Sequence, residues 1–374
     1  MMIDRHGRSK RPVWLAAAVV VLVGSLALAA SAFAGGAATP MQQAQAALVA
    51  SKPPTSIFAT VKSTKPLPKG SNIQVSYVHC GQPGCTDVAN GLAAAIKGLG
   101  LGWKFTVIPT DGSPTSIQSG WTTATRNGSK VIFASGFPDT MFAQQLTAAN
   151  KAGVPVFNGY ILDTPKAGYY PFGGASDVTV IGKDMAAWAT VKSGGKANVL
   201  FVDLPAFPIL APVSASFKKW MPVFCPGCPV GSISLALTDL GKDAPQKIVS
   251  YIRAHPGVNY VALVYDGVGI GVPAALKLAG LDKKVKMIGE SPSAVNLGYV
   301  AAGGEEMTVT QGYSEAMASA VNAAARLLSG QKVDPNELKL AYWVFKKGDP
   351  KNVAGSGSPV ISNLYAQYLA LWPK

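Results

Sequence analysis

Residues 71–110, SNIQVSYVHCGQPGCTDVANGLAAAIKGLGLGWKFTVIPT, contain the pattern from which the fold class can be predicted. Its first apolar run, Ile73–His79, is short and rich in β-branched and aromatic residues, which predicts a buried strand. Thr86–Gly98 then carries apolar residues at helical spacing, and Trp103–Ile108 is a second apolar run. A strand, a helix and another strand make up the unit from which parallel sheets are built.

The same alternation continues along the chain and predicts an α/β fold of two doubly wound parallel-sheet lobes. Further strands are predicted at Val131–Ser135, Val154–Phe157, Ala197–Asp203, Val230–Leu237, Tyr260–Tyr265, Lys286–Gly289 and Met307–Thr310. Helices are predicted at Ser113–Arg126, Thr140–Ala152, Val178–Lys192, Val213–Trp220, Ala244–His255, Val272–Ala279 and Ser314–Leu328. Tyr169–Gly174 is predicted to be a segment that connects the two lobes.

The amino-terminal residues predict export. A polar, basic start is followed by an apolar run from Val13, which ends in Ala32-Phe33-Ala34. This order is typical of a secretory signal peptide, here residues 1–34. An uncleaved anchor helix is the alternative, because a bilayer core of about 30 Å can be crossed by such a run. Residues 35–70 are rich in Ala, Pro and Lys, which predicts a flexible linker.

Composition and charge exclude several classes of protein. The hydrophobic fraction of 48% excludes a disordered chain. The net charge of +14 comes mostly from lysine, since beyond residue 34 the arginines are Arg126, Arg253 and Arg326. Proteins that bind nucleic acid favour clustered arginine, so we expect no nucleic-acid partner.

The four cysteines form two local pairs, Cys80 with Cys85 and Cys225 with Cys228. Outside the cytoplasm disulfides persist, so these pairs are expected to be disulfides. A redox dithiol at Cys225-Pro226-Gly227-Cys228 and a zinc site remain alternatives. The C-x-x-C motif follows a predicted helix instead of opening one, which disfavours redox chemistry.

Catalytic patterns are weak. Beyond the predicted signal peptide the histidines are His79 and His255, too few for a metal cluster, and no G-x-S-x-G motif is present. The glycine-rich turn at 267–271 resembles a dinucleotide fingerprint, but Val272 stands where its last glycine belongs. We therefore expect no metal, no cofactor and no enzymatic activity.

Ligands of open parallel sheets bind at the carboxyl ends of the strands. The loops at these ends carry aromatic, amide and carboxylate side chains but no arginine. Because anionic ligands are usually held by arginine, this pattern predicts an uncharged ligand. The candidate ligand-binding residues are Asp111, Phe137, Asp139, Tyr160, Phe207, Tyr265, Asp266, Glu290 and Gln311.

The chain resembles the type I periplasmic solute-binding proteins of ABC importers, in particular the ribose-like sugar-binding branch. The resemblance spans about residues 71–345 and rests on the segments PKGSNIQVSYVHC, KVIFASG, LTAANKAGVPVFN, HPGVNYVALVYDGVGIGVPAALKLAG and VKMIGE. It implies two lobes joined by a hinge of several strands, with the ligand between them and a membrane permease as partner. We expect residues 71–165 and 312–338 in the amino-terminal lobe, and 166–311 and 339–374 in the carboxyl-terminal lobe.

The resemblance also implies roles for particular positions. Tyr265 and Asp266 stand where the family often has Asn-Asp in contact with sugar hydroxyls, and Gln311 matches a glutamine near the hinge. Glu290 replaces a common aspartate, and Ala206–Leu210 lacks the usual arginine. These departures favour a polyol, a glycoside with an apolar aglycone or an aromatic compound over a free hexose or pentose.

The leading hypothesis is an exported, monomeric protein that captures a small uncharged solute for an ABC importer. It would act in the periplasm or at the outer face of the cell envelope, tethered there if the signal helix is retained. The alternatives are an extracellular ligand sensor that acts on a membrane receptor, a binder of aromatic or other non-sugar solutes, and an exported thiol oxidoreductase that uses Cys225 and Cys228.

Overall fold

In a computed structural model of the protein, residues 37–349 and 360–373 are described. By its internal contacts the chain divides into Met1–Ala38 and Thr39–Lys374. The predicted signal peptide, residues 1–34, lies outside the described residues. All helices and strands given below belong to the second unit.

The amino-terminal lobe is built on a five-stranded sheet in the order β2-β1-β3-β4-β5. Its strands are β1 (Gln74–Val78), β2 (Lys104–Ile108), β3 (Val131–Ser135), β4 (Val156–Gly159) and β5 (Tyr169–Phe172). Neighbouring strands run parallel, with Val75 opposite both Phe105 and Val131. Strand β3 lies inside the sheet and is buried at every position. This explains why its sequence is an uninterrupted apolar run, as expected for an inner strand of a parallel sheet.

The carboxyl-terminal lobe is built on a six-stranded sheet in the order β11-β10-β9-β8-β6-β7. Its strands are β6 (Val199–Asp203), β7 (Val230–Ser234), β8 (Tyr260–Leu263), β9 (Lys286–Glu290), β10 (Met307–Gln311) and β11 (Tyr342–Lys346). All pairs are parallel except β10 with β11, which is antiparallel. The predicted α/β class with two parallel-sheet lobes is confirmed.

Helices cover these sheets. They are α1 (Pro40–Ala50), α2 (Pro83–Gly98), α3 (Pro114–Arg126), α4 (Ala143–Lys151), α5 (Ala175–Lys192), α6 (Ala211–Phe224), α7 (Ala244–Ala254), α8 (Val272–Leu278), α9 (Ala294–Ala302), α10 (Tyr313–Leu328) and α11 (Leu364–Leu369). Several begin at or next to proline, whose fixed φ and missing N–H suit the first turn.

The chain passes between the two sheets three times, from β5 to α5, from β10 to α10 and from α10 to β11. Helix α10 follows a strand of the carboxyl-terminal sheet but packs against α2 of the amino-terminal lobe. These passages form the hinge that the resemblance implied.

The boundary expected near residue 165 has to be moved. Tyr169–Phe172 was predicted to connect the lobes, but it pairs with β4 as the edge strand of the first sheet. Pro171 is compatible with this edge position, because a proline there removes no hydrogen bond that an inner strand needs. Tyr169 is fully buried, which holds the short strand in place.

The predicted flexible linker, residues 35–70, is ordered over most of its length. Helix α1 packs against α5, and Ala44 is fully buried. The Ser51 hydroxyl accepts a hydrogen bond of 2.8 Å from the Val344 N–H of β11. Small alanine side chains let this helix pack closely without large apolar residues, which is why composition alone suggested a linker.

The carboxyl-terminal residues divide between the lobes, although all of 339–374 was expected in the second lobe. Strand β11 joins the carboxyl-terminal sheet. Residues 360–373 pack on the amino-terminal lobe, where Trp372 Nε1 donates to Asn322 Oδ1 of α10 at 2.7 Å. The indole has a buried amide partner there, and this bond fixes the end of the chain.

Both expected disulfides are present, Cys80–Cys85 and Cys225–Cys228. The first joins the end of β1 to the first turn of α2, whereas the second follows α6 and precedes β7. The C-x-x-C motif therefore lies at a helix carboxyl terminus, where the helix dipole does not lower a thiol pKa.

Within residues 37–349 and 360–373, no helix is long and apolar enough to cross a membrane. In the same ranges, no group of three or more His, Cys, Asp or Glu residues is arranged to hold a metal ion.

Candidate functional site

A cleft of about 680 Å³, including its open mouth, lies between the two lobes. Its walls come from loops at the carboxyl ends of strands in both sheets, from the hinge, and from α5 and α6. This is the place that parallel-sheet topology predicts for a ligand.

The amino-terminal wall is formed by the disulfide loop and by the ends of β3 and β4. Cys80, Gln82 and Cys85 line the cleft from the loop, and Ser135 lines it from the end of β3. The Ser135 hydroxyl shares a 2.7 Å hydrogen bond with the hydroxyl of Tyr77, which lies within the sheet. This wall therefore combines a covalently closed loop with a rigidly held hydroxyl.

The carboxyl-terminal wall has an extended aliphatic part. It is formed by Val178 and Ile181 of α5, Val213 of α6, and Ile209 and Leu210 just before α6. Helices α5 and α6 approach closely at Gly182, where a Cβ atom would overlap the α6 backbone. The glycine therefore brings the aliphatic side chains of both helices together.

The floor of the cleft is the hinge itself. Gln311 ends β10, Tyr313 begins α10 and Tyr342 begins β11, and all three line the cleft. The ring of Tyr160 lies 6.3 Å from that of Tyr313 in an edge-to-face arrangement. Because the floor consists of hinge residues, a ligand that touches it contacts the segments that bend when the lobes move.

The two lobes touch across the cleft. The rings of Phe137 and Phe207, from opposite lobes, are 5.5 Å apart. Tyr265 of the second lobe is hydrogen-bonded to the backbone of Gly84 in the first. The structure is therefore a closed arrangement of the lobes.

Glu290 is the acidic group of the cleft, and it is only 2% exposed. Ser291 Oγ donates to Glu290 Oε2 at 2.5 Å. Burial raises the pKa of Glu290 to about 8, with the Ser291 bond opposing this shift and nearby Asp266 adding to it. At neutral pH the carboxyl group is therefore largely protonated and able to donate a hydrogen bond.

The tyrosines of the cleft are uncharged as well. Burial raises the pKa of Tyr160, Tyr265, Tyr313 and Tyr342 above the ordinary value of a tyrosine. Among the described residues that line the cleft, none is Lys, Arg or His. The site thus offers neutral hydroxyl, amide and carboxylic acid groups, and nothing in it would compensate a charged ligand.

Two buried polar atoms of the cleft, Tyr160 Oη and Gln311 Oε1, make no hydrogen bond of acceptable geometry to the described residues, although the Gln311 side chain lies beside Tyr160 Oη. Tyr160 and Ser291 also have positive φ angles of 58° and 52°, a strained conformation for residues with a Cβ. Unpaired polar atoms and local strain are both costly, and they concentrate where a protein binds a ligand.

The structure brings together five of the nine candidates predicted from sequence. Those that line the cleft are Tyr160, Phe207, Tyr265, Glu290 and Gln311. They come from three strand ends, one loop and the hinge, as expected for strand-end loops of parallel sheets.

Three candidates of the amino-terminal lobe do not line the cleft. Asp111 Oδ1 accepts from the Ser113 N–H at 2.8 Å, so it stabilises the turn before α3. Asp139 forms an ion pair with Lys166. Phe137 lies behind the cleft wall and supports the ring of Phe207.

Asp266 is a structural residue of the second lobe and lies behind the cleft wall. It is fully buried, and Thr308 Oγ1 donates to its Oδ2 at 2.6 Å. Its backbone carbonyl accepts from Asn296 Nδ2 at 2.8 Å. Burial raises the pKa of this carboxyl group to about 7, and its neighbour Glu305 is buried too. This side chain therefore lies outside the cleft lining, unlike the sugar-contacting aspartate that the resemblance implied.

Sequence reasoning missed part of the site. Ser135 was correctly predicted to end a strand but was not chosen as a ligand-binding candidate. Its position at the carboxyl end of a strand could have indicated that it lines the cleft. Tyr342 was missed because β11 was not predicted. The aliphatic residues of α5 and α6 were not selected, since an apolar helix face gives no sign of which neighbour it meets.

The comparisons with known proteins agree with this architecture. Residues 73–332, more than half of the chain, match the model of the family described as periplasmic binding protein domain. No curated protein matches the chain significantly.

Solved structures share the fold at low sequence identity. A 5-methylthioribose transporter solute-binding protein from Thermotoga lettingae has a TM-score of 0.64 at 17% identity, covering 74% of this chain and 87% of its own. A Caulobacter myo-inositol binding protein has a TM-score of 0.62 at 19% identity, covering 77% and 97%. A periplasmic solute-binding protein from Actinobacillus succinogenes with bound D-allose has a TM-score of 0.61 at 18% identity, covering 72% and 94%.

Proposed function

Because the chain belongs to the periplasmic binding protein family, we propose that it is an exported binding protein of an ABC importer. It would capture a small uncharged solute between its lobes and present the closed form to a membrane permease. The observation that carries this proposal is the closed interlobe cleft, lined by neutral polar groups and aromatic rings without a cationic side chain.

The hinge supports a mechanism of closure. Ligand would bind first to one lobe, and contacts with the second lobe would then favour the closed state. Gln311, Tyr313 and Tyr342 belong to the passages between lobes and line the cleft, so the same residues can bind solute and respond to closure. The unpaired Gln311 Oε1 would accept a hydrogen bond from a ligand hydroxyl.

Sugars and polyols are the first solutes to consider. The similar structures are described with 5-methylthioribose, myo-inositol and D-allose, all uncharged and hydroxylated. Rings such as Phe207 and Tyr265 can stack on the apolar faces of such molecules, while Glu290 and Gln311 bind hydroxyls.

The remaining parts of the proposal follow from the family role. The protein would be non-enzymatic and monomeric, would need no cofactor, and would act in the periplasm or at the outer face of the cell envelope. The amino-terminal signal would direct export and either be cleaved or remain as an anchor. Residues 71–172 with 312–338 and 360–373 would move as one lobe, and 175–311 with 339–346 as the other.

A thermal-shift screen of neutral sugars, polyols and aromatic compounds tests the function. A ligand should raise Tm, because it binds the folded state only. A Gln311→Leu variant should lose most of this shift, whereas Gln144→Leu, at an exposed residue of α4 that does not line the cleft, should retain it. A screen in which no compound raises Tm, repeated after unfolding and refolding to remove bound ligand, would contradict the proposal.

A further inference from the structure

The cleft is lined by polar residues at the hinge and at the end of β9, and by aliphatic residues on and just before α5 and α6. This composition narrows the class of solute. Building on the proposed function, we infer that the solute is an uncharged amphiphile. Its hydroxylated end faces the hinge, and an alkyl, alkylthio or similar apolar substituent lies against α5 and α6.

The polar side lies at the hinge and at the end of β9. Tyr160 Oη lies there beside the Gln311 side chain, neither it nor Gln311 Oε1 makes a hydrogen bond of good geometry, and Glu290 with Ser291 adds a neutral acid and a hydroxyl. These groups can bind hydroxyls as donors and as acceptors. They account for one end of the ligand.

A second group of lining residues is aliphatic. The side chains of Val178, Ile181, Ile209, Leu210 and Val213 carry no hydrogen-bonding atom, and all five line the cleft. A sugar with hydroxyls around the whole ring would leave some of them unpaired against this surface. An unpaired buried hydroxyl is costly, whereas a buried alkyl group is favourable, so the aliphatic wall selects a ligand with an apolar end.

Isothermal titration calorimetry with matched compounds tests this inference. The probes are D-glucose and D-ribose, their methyl, propyl and butyl β-glycosides, and 5-methylthioribose. Affinity should rise about fourfold with each added methylene until the aliphatic side is filled. Val213→Thr keeps the shape of the side chain but adds a hydroxyl, and it should flatten this series. Val107→Thr, on the exposed edge strand β2, is the control.

The outcomes separate this inference from the function on which it rests. Parent sugars that bind as tightly as their alkyl derivatives would overturn the inference and leave the proposed function standing. A flat series in the wild type, or an unchanged series in Val213→Thr, would overturn it as well. Failure of every probe and of the thermal-shift screen would overturn both proposals.

A different observation carries a second inference, about residues 39–65, here called the N-terminal strap. The strap precedes the part of the chain that matches the family, residues 73–332. It begins on the carboxyl-terminal lobe, where α1 packs on α5 and Ser51 bonds to β11.

The same strap ends on the amino-terminal lobe. The Val61 carbonyl accepts from the guanidinium of Arg326 on α10. The Ser63 N–H donates to the Leu371 carbonyl at 2.6 Å, and the Thr64 N–H donates to Gln331 Oε1 at 3.1 Å. The strap therefore has anchors on both lobes and crosses the hinge on the way.

The middle of the strap lines a small cleft at the hinge, of about 360 Å³ including its open mouth. Ile57 and Phe58 line it from the strap, Ala316 from α10 and Trp343 from β11. The strap is thus in contact with both hinge-forming elements. We propose that it limits how far the lobes open, since its length between the two anchors is fixed.

Lengthening the strap tests this second proposal. A six-residue Gly-Ser insertion after Pro54 leaves both sets of anchors in place. The ligand-free protein should then show a larger radius of gyration in small-angle scattering. The same insertion after Gly241, in an exposed turn before α7, is the control and should leave the lobes unchanged.

A second variant, which does not lengthen the chain, separates an effect on the strap from a folding defect. Ser51→Ala removes one anchor bond to β11 and should change the radius of gyration in the same direction by a smaller amount. Circular dichroism checks that each variant is folded. Folded variants with the radius of gyration of the wild type would overturn the strap proposal.

Discussion

Glu290 shows how one residue can link the site to pH. Its pKa is raised from 4.5 to about 8, so the folded state binds a proton that the unfolded state releases between these values. Its contribution to stability is therefore complete below about pH 4.5 and is lost as the pH rises through 8. Asp266 contributes in the same direction, with its pKa raised to about 7.

We predict that Glu290→Gln reduces the loss of Tm between pH 5 and pH 9, because glutamine keeps the shape and does not ionise. Tm of wild type and variant should be measured at both pH values in the same buffer. Asp282→Asn, at a surface carboxyl near Lys283, is the control and should keep the wild-type slope. A Glu290→Gln protein with that slope would contradict the raised pKa.

Two buried tyrosines should respond differently to loss of the hydroxyl. Tyr160 Oη lies beside the Gln311 side chain but makes no hydrogen bond of good geometry, so Tyr160→Phe should cost less free energy of unfolding than Tyr77→Phe. Tyr77 shares a hydrogen bond with Ser135, and Tyr77→Phe should cost about 1 kcal/mol. Urea unfolding of the ligand-free proteins measures both values.

For ligand affinity the two variants should rank in the reverse order, with the larger loss in Tyr160→Phe. If Tyr160 Oη binds a ligand hydroxyl, Tyr160→Phe should weaken affinity for any solute identified by about tenfold. Tyr77 lies within the sheet, so its variant should change affinity less. Equal losses of stability in the two variants would contradict the interpretation that Tyr160 Oη is kept for a ligand.

Among the structural elements, the two disulfides can be compared directly, because they close loops of similar length and only one of them lines the cleft. Each closes a very short loop, with sequence separations of 5 and 3, and chain entropy assigns about 2 kcal/mol to each. Cys80 and Cys85 line the cleft, whereas Cys225 and Cys228 do not. Their effects on stability should therefore be similar and their effects on binding different.

We predict that replacing Cys80 and Cys85 together by serine weakens ligand affinity at least tenfold, because the loop that carries Gln82 is no longer fixed. Replacing Cys225 and Cys228 together should leave affinity within about twofold of the wild type. Calorimetry under oxidising conditions measures both. Equal effects on affinity would show that the cleft disulfide does not organise the site.

Most strands and helices could be predicted from the sequence, and the exceptions have physical reasons. Strands such as Val131–Ser135 were found with correct bounds, because a short, uninterrupted apolar run between turn residues is typical of an inner strand of a parallel sheet. Strand β11 was missed, since YWVFK alternates only partly in burial and pairs antiparallel at a sheet edge. Helix α1 was missed because alanine and glutamine also occur in linkers.

The site was only partly predictable for a related reason. Strand ends can be located from local pattern, so Tyr160, Tyr265 and Glu290 could be chosen. Whether a side chain such as Asp266 turns into the cleft or into its own lobe depends on partners far along the chain, here Thr308 and Asn296. No local pattern contains that information.

In the molecule as a whole, contacts between the lobes across the cleft stabilise the closed arrangement. Phe207 is central among them, because its ring meets Phe137 of the other lobe at 5.5 Å and Tyr265 of its own lobe at 6.5 Å. It is only 7% exposed in the closed arrangement, and opening the cleft would expose it. Its burial therefore favours the closed state directly.

We predict that Phe207→Ala shifts the ligand-free protein toward the open state and weakens binding by tenfold or more, because the ring contributes both to closure and to the cleft wall. Small-angle scattering should show a larger radius of gyration without ligand, and saturating ligand should restore the wild-type value. Leu278→Ala, at a side chain 89% exposed on α8, is the control. A variant that loses affinity without expanding would assign Phe207 to ligand contact alone, and closure would then rest on the hinge and the strap.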